Sequence, residues 1–214
     1  MKPDRLSLDD RARDLLQRNN LVRLSEFAAA GITTATISRM EKRGDVVRIG
    51  RGLYQLPNQS VDANHDLAVA AKLVPTGVIC LVSALAFHEL TDTIPSRVWM
   101  AIGPKDRKPA VTQPALQIVR FSPDLLRRDV GHYTIDGVAV TITAPARTIV
   151  DLFRYRASAG RRYKNSPGLN LALEGLREAL RTRKVTPAGI ARLADELGMW
   201  KTMRPYVEAL TSHA

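Results

Sequence analysis

Apolar residues in the first sixty positions recur at helical spacing and are cut at short intervals by turn residues. Leu8, Ala12, Leu15 and Leu16 predict a helix from Leu6 to Arg18, with Asp9 and Asp10 in the first turn, where a helix N-terminus favours negative charge. Asn19-Asn20 stops it. The block Arg23 to Ala30 predicts a second, short helix that meets Gly31, a residue suited to a left-handed helix end. Thr33 or Thr34 can cap a third helix running through Arg43, with Gly44 as its stop. Two short helices flanking a glycine turn make a helix-turn-helix pattern. From Val46 to Leu56, two β-rich runs joined by Gly50-Arg51-Gly52 predict a hairpin, a basic wing carrying Arg48 and Arg51.

Pro57-Asn58-Gln59-Ser60 is a short polar linker, and a domain boundary is expected there. Asp62 can open a helix with Ala63, Leu67, Ala70, Ala71 and Val74 as apolar positions. A helix from about Ile79 to Leu90, a strand from Arg97 to Ile102, a charged loop from Gly103 to Lys108, a strand from Leu116 to Phe121 and a hairpin turning at Asp136-Gly137 follow. Pro145 starts a helix reaching about Tyr155, buried through Ile149, Val150 and Phe153, with Arg147 and Asp151 expected to pair on its surface. Residues 157–167 are basic and irregular. Beyond them Leu169, Leu173, Leu176 and Leu180 form the stripe of an amphipathic helix, and two more helices run after Thr186-Pro187 and through Pro205. The expected fold is α+β: an N-terminal winged helix-turn-helix over residues 1–57, then residues 58–214, a mixed α/β domain (58–157) with a helical C-terminal tail (158–214).

Composition sharpens this picture. With 45% hydrophobic and 25% charged residues the chain reads as a folded protein. No apolar run approaches the roughly 18 residues of a membrane span. MKPDRLSLDD has no apolar stretch behind its charges, so no secretory signal is expected and the cytoplasm is the expected location. The net charge of +11 favours a polyanionic partner such as nucleic acid, acidic membrane or an acidic protein. Lys/Arg outnumber Asp/Glu by eleven to seven in residues 1–57, eleven to nine in 58–157 and ten to five in 158–214, so the surplus sits at both ends. Cys80, the only cysteine, lies in the apolar run Val78 to Val82, a core setting that allows no intrachain disulfide.

Candidate chemistry concentrates on the third helix. At about 100° per residue, Ile37 and Met40 share one side while Ala35, Ser38, Arg39 and Lys42 share the other, with Thr36 and Arg43 at the flanks. The DNA-contacting set is therefore Thr34, Ala35, Thr36, Ser38, Arg39, Lys42, Arg43, Arg48 and Arg51. Ala35, Ser38, Arg39 and Lys42 could face base edges, while Arg43, Arg48 and Arg51 could approach phosphates. The plainer reading is that these cations only solvate a small helical domain.

Other chemistry finds little support. Gly50-Arg51-Gly52 lacks the pattern of a phosphate-cradling nucleotide loop. His65, His88, His132 and His213 lie far apart without metal-ligand spacing, and His88 reads as a partly exposed helix residue. Ser83 and His88, five apart on one predicted helix, point away from each other and cannot act as nucleophile and base. The Gly103–Lys108 loop reads as a solvated turn, with a site for a partner or nucleic acid slightly the weaker alternative, and Trp99 and Trp200 read as core rather than as stacking surfaces for a ligand. No catalytic residue, metal or cofactor is expected.

Three segments together carry a family resemblance: Leu24-Ser25-Glu26-Phe27 through Arg51-Gly52-Leu53-Tyr54; Ser83-Ala84-Leu85-Ala86-Phe87-His88-Glu89-Leu90-Thr91; and Ala146-Arg147-Thr148-Ile149-Val150-Asp151-Leu152. Over about residues 7 to 156 the chain resembles an AbiEi-type antitoxin of type IV toxin–antitoxin systems. The resemblance implies a protein encoded beside a nucleotidyltransferase-like toxin. It implies autorepression by a winged helix on inverted repeats of promoter double-stranded DNA, with two copies on two half-sites, and toxin neutralisation by the C-terminal part, with no membrane partner. Two alternatives stay open: a phosphotransferase that modifies the toxin, although no kinase motif is visible, and a ligand-responsive transcription factor.

Overall fold

The computed structural model describes residues 7–156 and 167–212. Ser7 caps the first helix, α1 (Leu8–Asn19), by accepting from the Asp10 backbone N–H at 3.1 Å. A short strand, β1 (Val22–Arg23), leads into α2 (Leu24–Ala29), which ends on Gly31 at φ 73°. Thr33 caps α3 (Thr34–Arg43), and Gly44 ends it at φ 78°, a conformation in which a Cβ would be strained. The hairpin β2 (Val47–Gly50) and β3 (Leu53–Gln55) then forms an antiparallel three-stranded sheet in the order β1-β3-β2.

A small core holds these elements together. Ala12 and Leu16 of α1, Phe27 of α2, Ile37 and Met40 of α3, Val46 just before β2, and Tyr54 of β3 are all buried in it. The Phe27 ring meets Tyr54 edge-on, with centroids 6.2 Å apart.

The compact unit containing this core runs past the polar linker to Thr76 and takes in Lys108–Leu116 and Tyr133–Val140. Its next helix, α4 (His65–Leu73), is held by Lys72 Nζ on Glu26 Oε1 at 2.7 Å. Asp136 also joins α4, in a link between positions far apart in sequence. Its carboxylate hydrogen-bonds His65 Nδ1 at 2.6 Å and accepts from the Asp62 backbone N–H at 3.0 Å.

The second unit comprises Gly77–Arg107, Gln117–His132 and the residues from Thr141 onward. The chain's other sheet has five strands, β4 (Val78–Ile79), β5 (Val98–Ile102), β6 (Leu116–Arg120), β7 (Val130–Ile135) and β8 (Val138–Thr143), in the order β6-β5-β4-β8-β7. β4 runs antiparallel to β5 and parallel to β8. The β7–β8 turn uses Asp136 at φ 50° and Gly137 at φ 74°, the pair of positive angles that a two-residue hairpin turn requires. The helices are α5 (Leu81–Phe87), α6 (Pro145–Tyr155), α7 (Gly168–Arg181), α8 (Pro187–Glu196) and α9 (Trp200–Thr211). α6 is central, packing against α5, α7, α8 and α9. The fold is thus mixed α+β, and no helix among the described residues is long and apolar enough to cross a membrane.

Three expectations change here. The predicted helix from Ile79 to Leu90 is a strand, a turn and a shorter helix: Ile79 belongs to β4, and Leu81 stands at φ 49° where the chain enters α5. Every residue from Val78 to Leu85 is buried, so this run carries no period to separate strand from helix. Arg147 and Asp151 do pair, but in the core, with side chains 0% and 1% exposed, because α6 is covered on several sides. His88 is buried, its Nε2 hydrogen-bonded to the Thr143 carbonyl at 2.8 Å, and burial holds its pKa below the usual histidine range. The basic segment from 157 to 166 lies outside the described residues.

Candidate nucleic-acid interface

The rotation of α3 is set by what it buries. Ile37 and Met40 are fully enclosed, so Thr34, Ala35, Ser38, Arg39 and Lys42 are turned to solvent. The helix start is fixed twice: the Thr33 side chain accepts from the Thr36 backbone N–H at 3.2 Å, and the hydroxyls of Thr33 and Thr36 lie 3.0 Å apart. That second contact removes Thr36 from the surface. At 1% exposure its side chain belongs to the cap, which corrects its assignment to the contacting face.

Arg43 is exposed but engaged. Its guanidinium pairs with Asp9 and, at 2.8 Å, with Asp45, and Arg13 also reaches Asp45 at 3.4 Å. The hydrogen bond from Arg43 holds the Asp9 carboxyl below its ordinary pKa. Arg43 therefore ties the end of α3 to α1, and a phosphate would have to compete with two carboxylates for it. By contrast, none of Arg39, Lys42, Arg48 and Arg51 forms an ion pair within 4.0 Å among the described residues. Arg39 has only a 3.5 Å contact to the Thr36 hydroxyl, and Arg48 only its Nε on the Gly50 carbonyl at 3.2 Å.

The hairpin holds two of these cations in place. Arg48 stands opposite Tyr54, and the register shifts between Arg48 and Gly50. Gly52 turns at φ 65°, and its carbonyl accepts from the Leu24 backbone N–H at 2.8 Å, fastening the hairpin tip to α2. Arg48 and Arg51 are exposed. One cation escaped the sequence reading: Arg23, at the β1–α2 junction, whose short β1 strand gave too few residues for a periodic signal.

These residues can supply positive charge and hydrogen-bond donors to a polyanion. Among the described residues, no group of three His, Cys, Asp or Glu side chains could hold a metal ion. Cys80 is buried, and burial raises its thiol pKa well above the ordinary value, the opposite of what a reactive thiolate needs. Ser83 is buried too, its hydroxyl accepting from the Trp99 backbone N–H at 2.9 Å.

No curated protein matches the chain. Among solved structures it is similar to the crystal structure of RV2827C protein from Mycobacterium tuberculosis, with a TM-score of 0.58 and 16% sequence identity, covering 98% of this chain and 79% of that one. At that identity the likeness is one of fold. The family model described as "Transcriptional regulator, AbiEi antitoxin" matches residues 10–57, the stretch holding α2, α3, the hairpin and most of α1. By that match, the N-terminal part of the chain is similar to the AbiEi antitoxin regulators to which its motifs point.

Proposed function

We propose that this chain is an AbiEi-type antitoxin that represses its own operon by binding promoter DNA and neutralises a nucleotidyltransferase-like toxin encoded beside it, in the cytoplasm. Residues 1–57 act as a winged helix-turn-helix. Thr34, Ala35, Ser38, Arg39 and Lys42 of α3 lie along the major groove, and Arg48 and Arg51 of the wing lie on the phosphate backbone. Two copies occupy the two halves of an inverted repeat. Residues 58–214 carry the antitoxin task.

One observation carries the DNA half of this reading: Arg39 and Lys42 of α3 and Arg48 and Arg51 of the wing, which make no ion pair within 4.0 Å among the described residues, fall inside the stretch matched to AbiEi regulators. A helical face that merely stayed hydrated would gain from local pairing, as Arg43 does with Asp9 and Asp45. Arg39 and Lys42 are left available instead. The antitoxin half rests on the family resemblance.

Gel shifts with the DNA upstream of its own gene test the first half. Arg39→Ala and Lys42→Ala should each weaken promoter binding by about 1–3 kcal/mol, with a smaller effect on random DNA. Unchanged affinity in both variants would refute it. Co-expression with the neighbouring toxin gene tests the second half: the Arg39→Ala/Lys42→Ala variant should lose repression yet still rescue growth. Failure of the wild-type chain to rescue would remove the antitoxin assignment.

A further inference from the structure

A second basic feature stands beside the wing. Arg23, Ser25, Arg48, Arg51 and Tyr54 line a cleft of about 450 Å³ between the start of α2 and the hairpin, and no carboxylate is among its lining residues. Glu26, next after Ser25, is not among them, and its carboxylate is already engaged, accepting from the Arg23 backbone N–H at 2.6 Å and from Lys72 Nζ at 2.7 Å. Arg23 forms no ion pair within 4.0 Å among the described residues, and its Nη2 is buried without any hydrogen-bond partner. A guanidinium partly withdrawn from water with no ion-pair partner is costly unless an anion in the cleft it lines offsets its charge. Arginine's planar fork suits the oxygens of a phosphate, and the exposed Ser25 hydroxyl adds a neutral donor.

We infer that this cleft seats one backbone phosphate of the bound DNA, with Arg23 as its inner clamp and Arg48, Arg51 and Ser25 closing around it. The inference rests on the DNA-binding reading and adds to it a contact made outside both α3 and the wing, by Arg23 and Ser25. The β1–α2 junction then reads no base. It fixes where the duplex backbone runs past the wing, because Gly52 ties the hairpin tip to Leu24 and so holds the two walls of the cleft together.

The test uses the full chain, a random-sequence duplex and the promoter duplex, titrated across a range of salt. One phosphate contact contributes about 0.9 to the slope of log affinity against log salt. Raising salt from about 50 to 200 mM should therefore cost the wild type about 3.5-fold more affinity than Arg23→Ala. The loss should be the same on both duplexes, and Arg23→Lys should restore most of the slope. Ser25→Glu, at an exposed position early in a helix where a carboxylate is tolerated, should expel the phosphate and weaken both duplexes without lowering thermal stability.

An unchanged slope in Arg23→Ala together with unchanged affinity in Ser25→Glu overturns the inference, even where Arg39→Ala and Lys42→Ala lose promoter binding and uphold the parent reading. Arg23-dependent binding of inorganic phosphate, with the DNA slope unaltered, also overturns it in favour of a free-anion site. A wild-type chain that binds neither duplex overturns both.

Discussion

Replacing Arg147 by Met tests how α6 is built. The guanidinium is completely enclosed: Nε donates to Asp151 Oδ2 at 2.8 Å, Nη1 donates to the Arg128 carbonyl at 3.0 Å, and Cζ lies 5.3 Å from the Phe121 ring centroid. Methionine keeps much of the apolar stem but strands the Asp151 carboxylate and the Arg128 carbonyl. An exposed helical pair of this spacing contributes about 0.3–0.5 kcal/mol, whereas removing one partner of a buried pair costs about 3–5 kcal/mol. With burial this complete, the larger figure applies, and a loss near 3 kcal/mol is expected at pH 8. The loss should shrink at pH 5, where Asp151 can bind a proton and no bare charge remains. Urea unfolding followed by tryptophan fluorescence is the assay, because both tryptophans, Trp99 and Trp200, lie in the second unit with Arg147. The double variant Arg147→Met/Asp151→Leu should regain most of the loss, since an apolar pair needs no counter-charge. A loss below about 1 kcal/mol in Arg147→Met at pH 8 would show that the pair behaves as an exposed one despite its burial.

Two further outcomes follow from the same core. Burial raises the Asp151 pKa from 3.8 to about 6 against the pull of Arg147, so the folded state holds this proton where the unfolded chain has released it. Stability from this group is fully present below about pH 4 and is lost as pH rises through 6, a change of about 3 kcal/mol that should vanish in Asp151→Asn; parallel pH–stability curves for the two proteins would contradict it. Gly175→Ala should cost about 1–3 kcal/mol by overpacking, because a Cβ there would stand 2.6 Å from Leu85 Cδ1 in a filled core. An unchanged urea midpoint would show that Leu85 can move aside.

The first sixty residues were legible because their signals are local. Thr33, Gly31 and Gly44 mark helix ends within one turn of the backbone they satisfy, and Gly50-Arg51-Gly52 announces the hairpin, whereas the Ser7 cap, which starts the first helix at Leu8, went unread. The second unit was legible in its element order but less so in its environment. The spacing of Arg147 and Asp151 is the same on a surface or in a core, and what decides between them is Phe121 and the Arg128 carbonyl, 26 and 19 positions away. The His65–Asp136 contact joins residues 71 apart, beyond any periodicity. Within the candidate site, helical rotation placed Ala35, Ser38, Arg39 and Lys42 correctly on the exposed face. It could not see that the Thr33 hydroxyl draws Thr36 inward, nor that two carboxylates claim Arg43. Arg23 escaped because its setting depends on the hairpin folding back beside it.

In the proposed complex, DNA lies along α3 and the wing. Backbone amide NMR of the labelled chain, titrated with a duplex covering the sequence upstream of its gene, tests it most directly. The largest shifts should fall on Ala35, Ser38, Arg39 and Lys42 of α3 and on Arg48 to Gly52 of the wing, while the amides of α7, α8 and α9 stay still. Shifts confined to those C-terminal helices, with α3 silent, would contradict it.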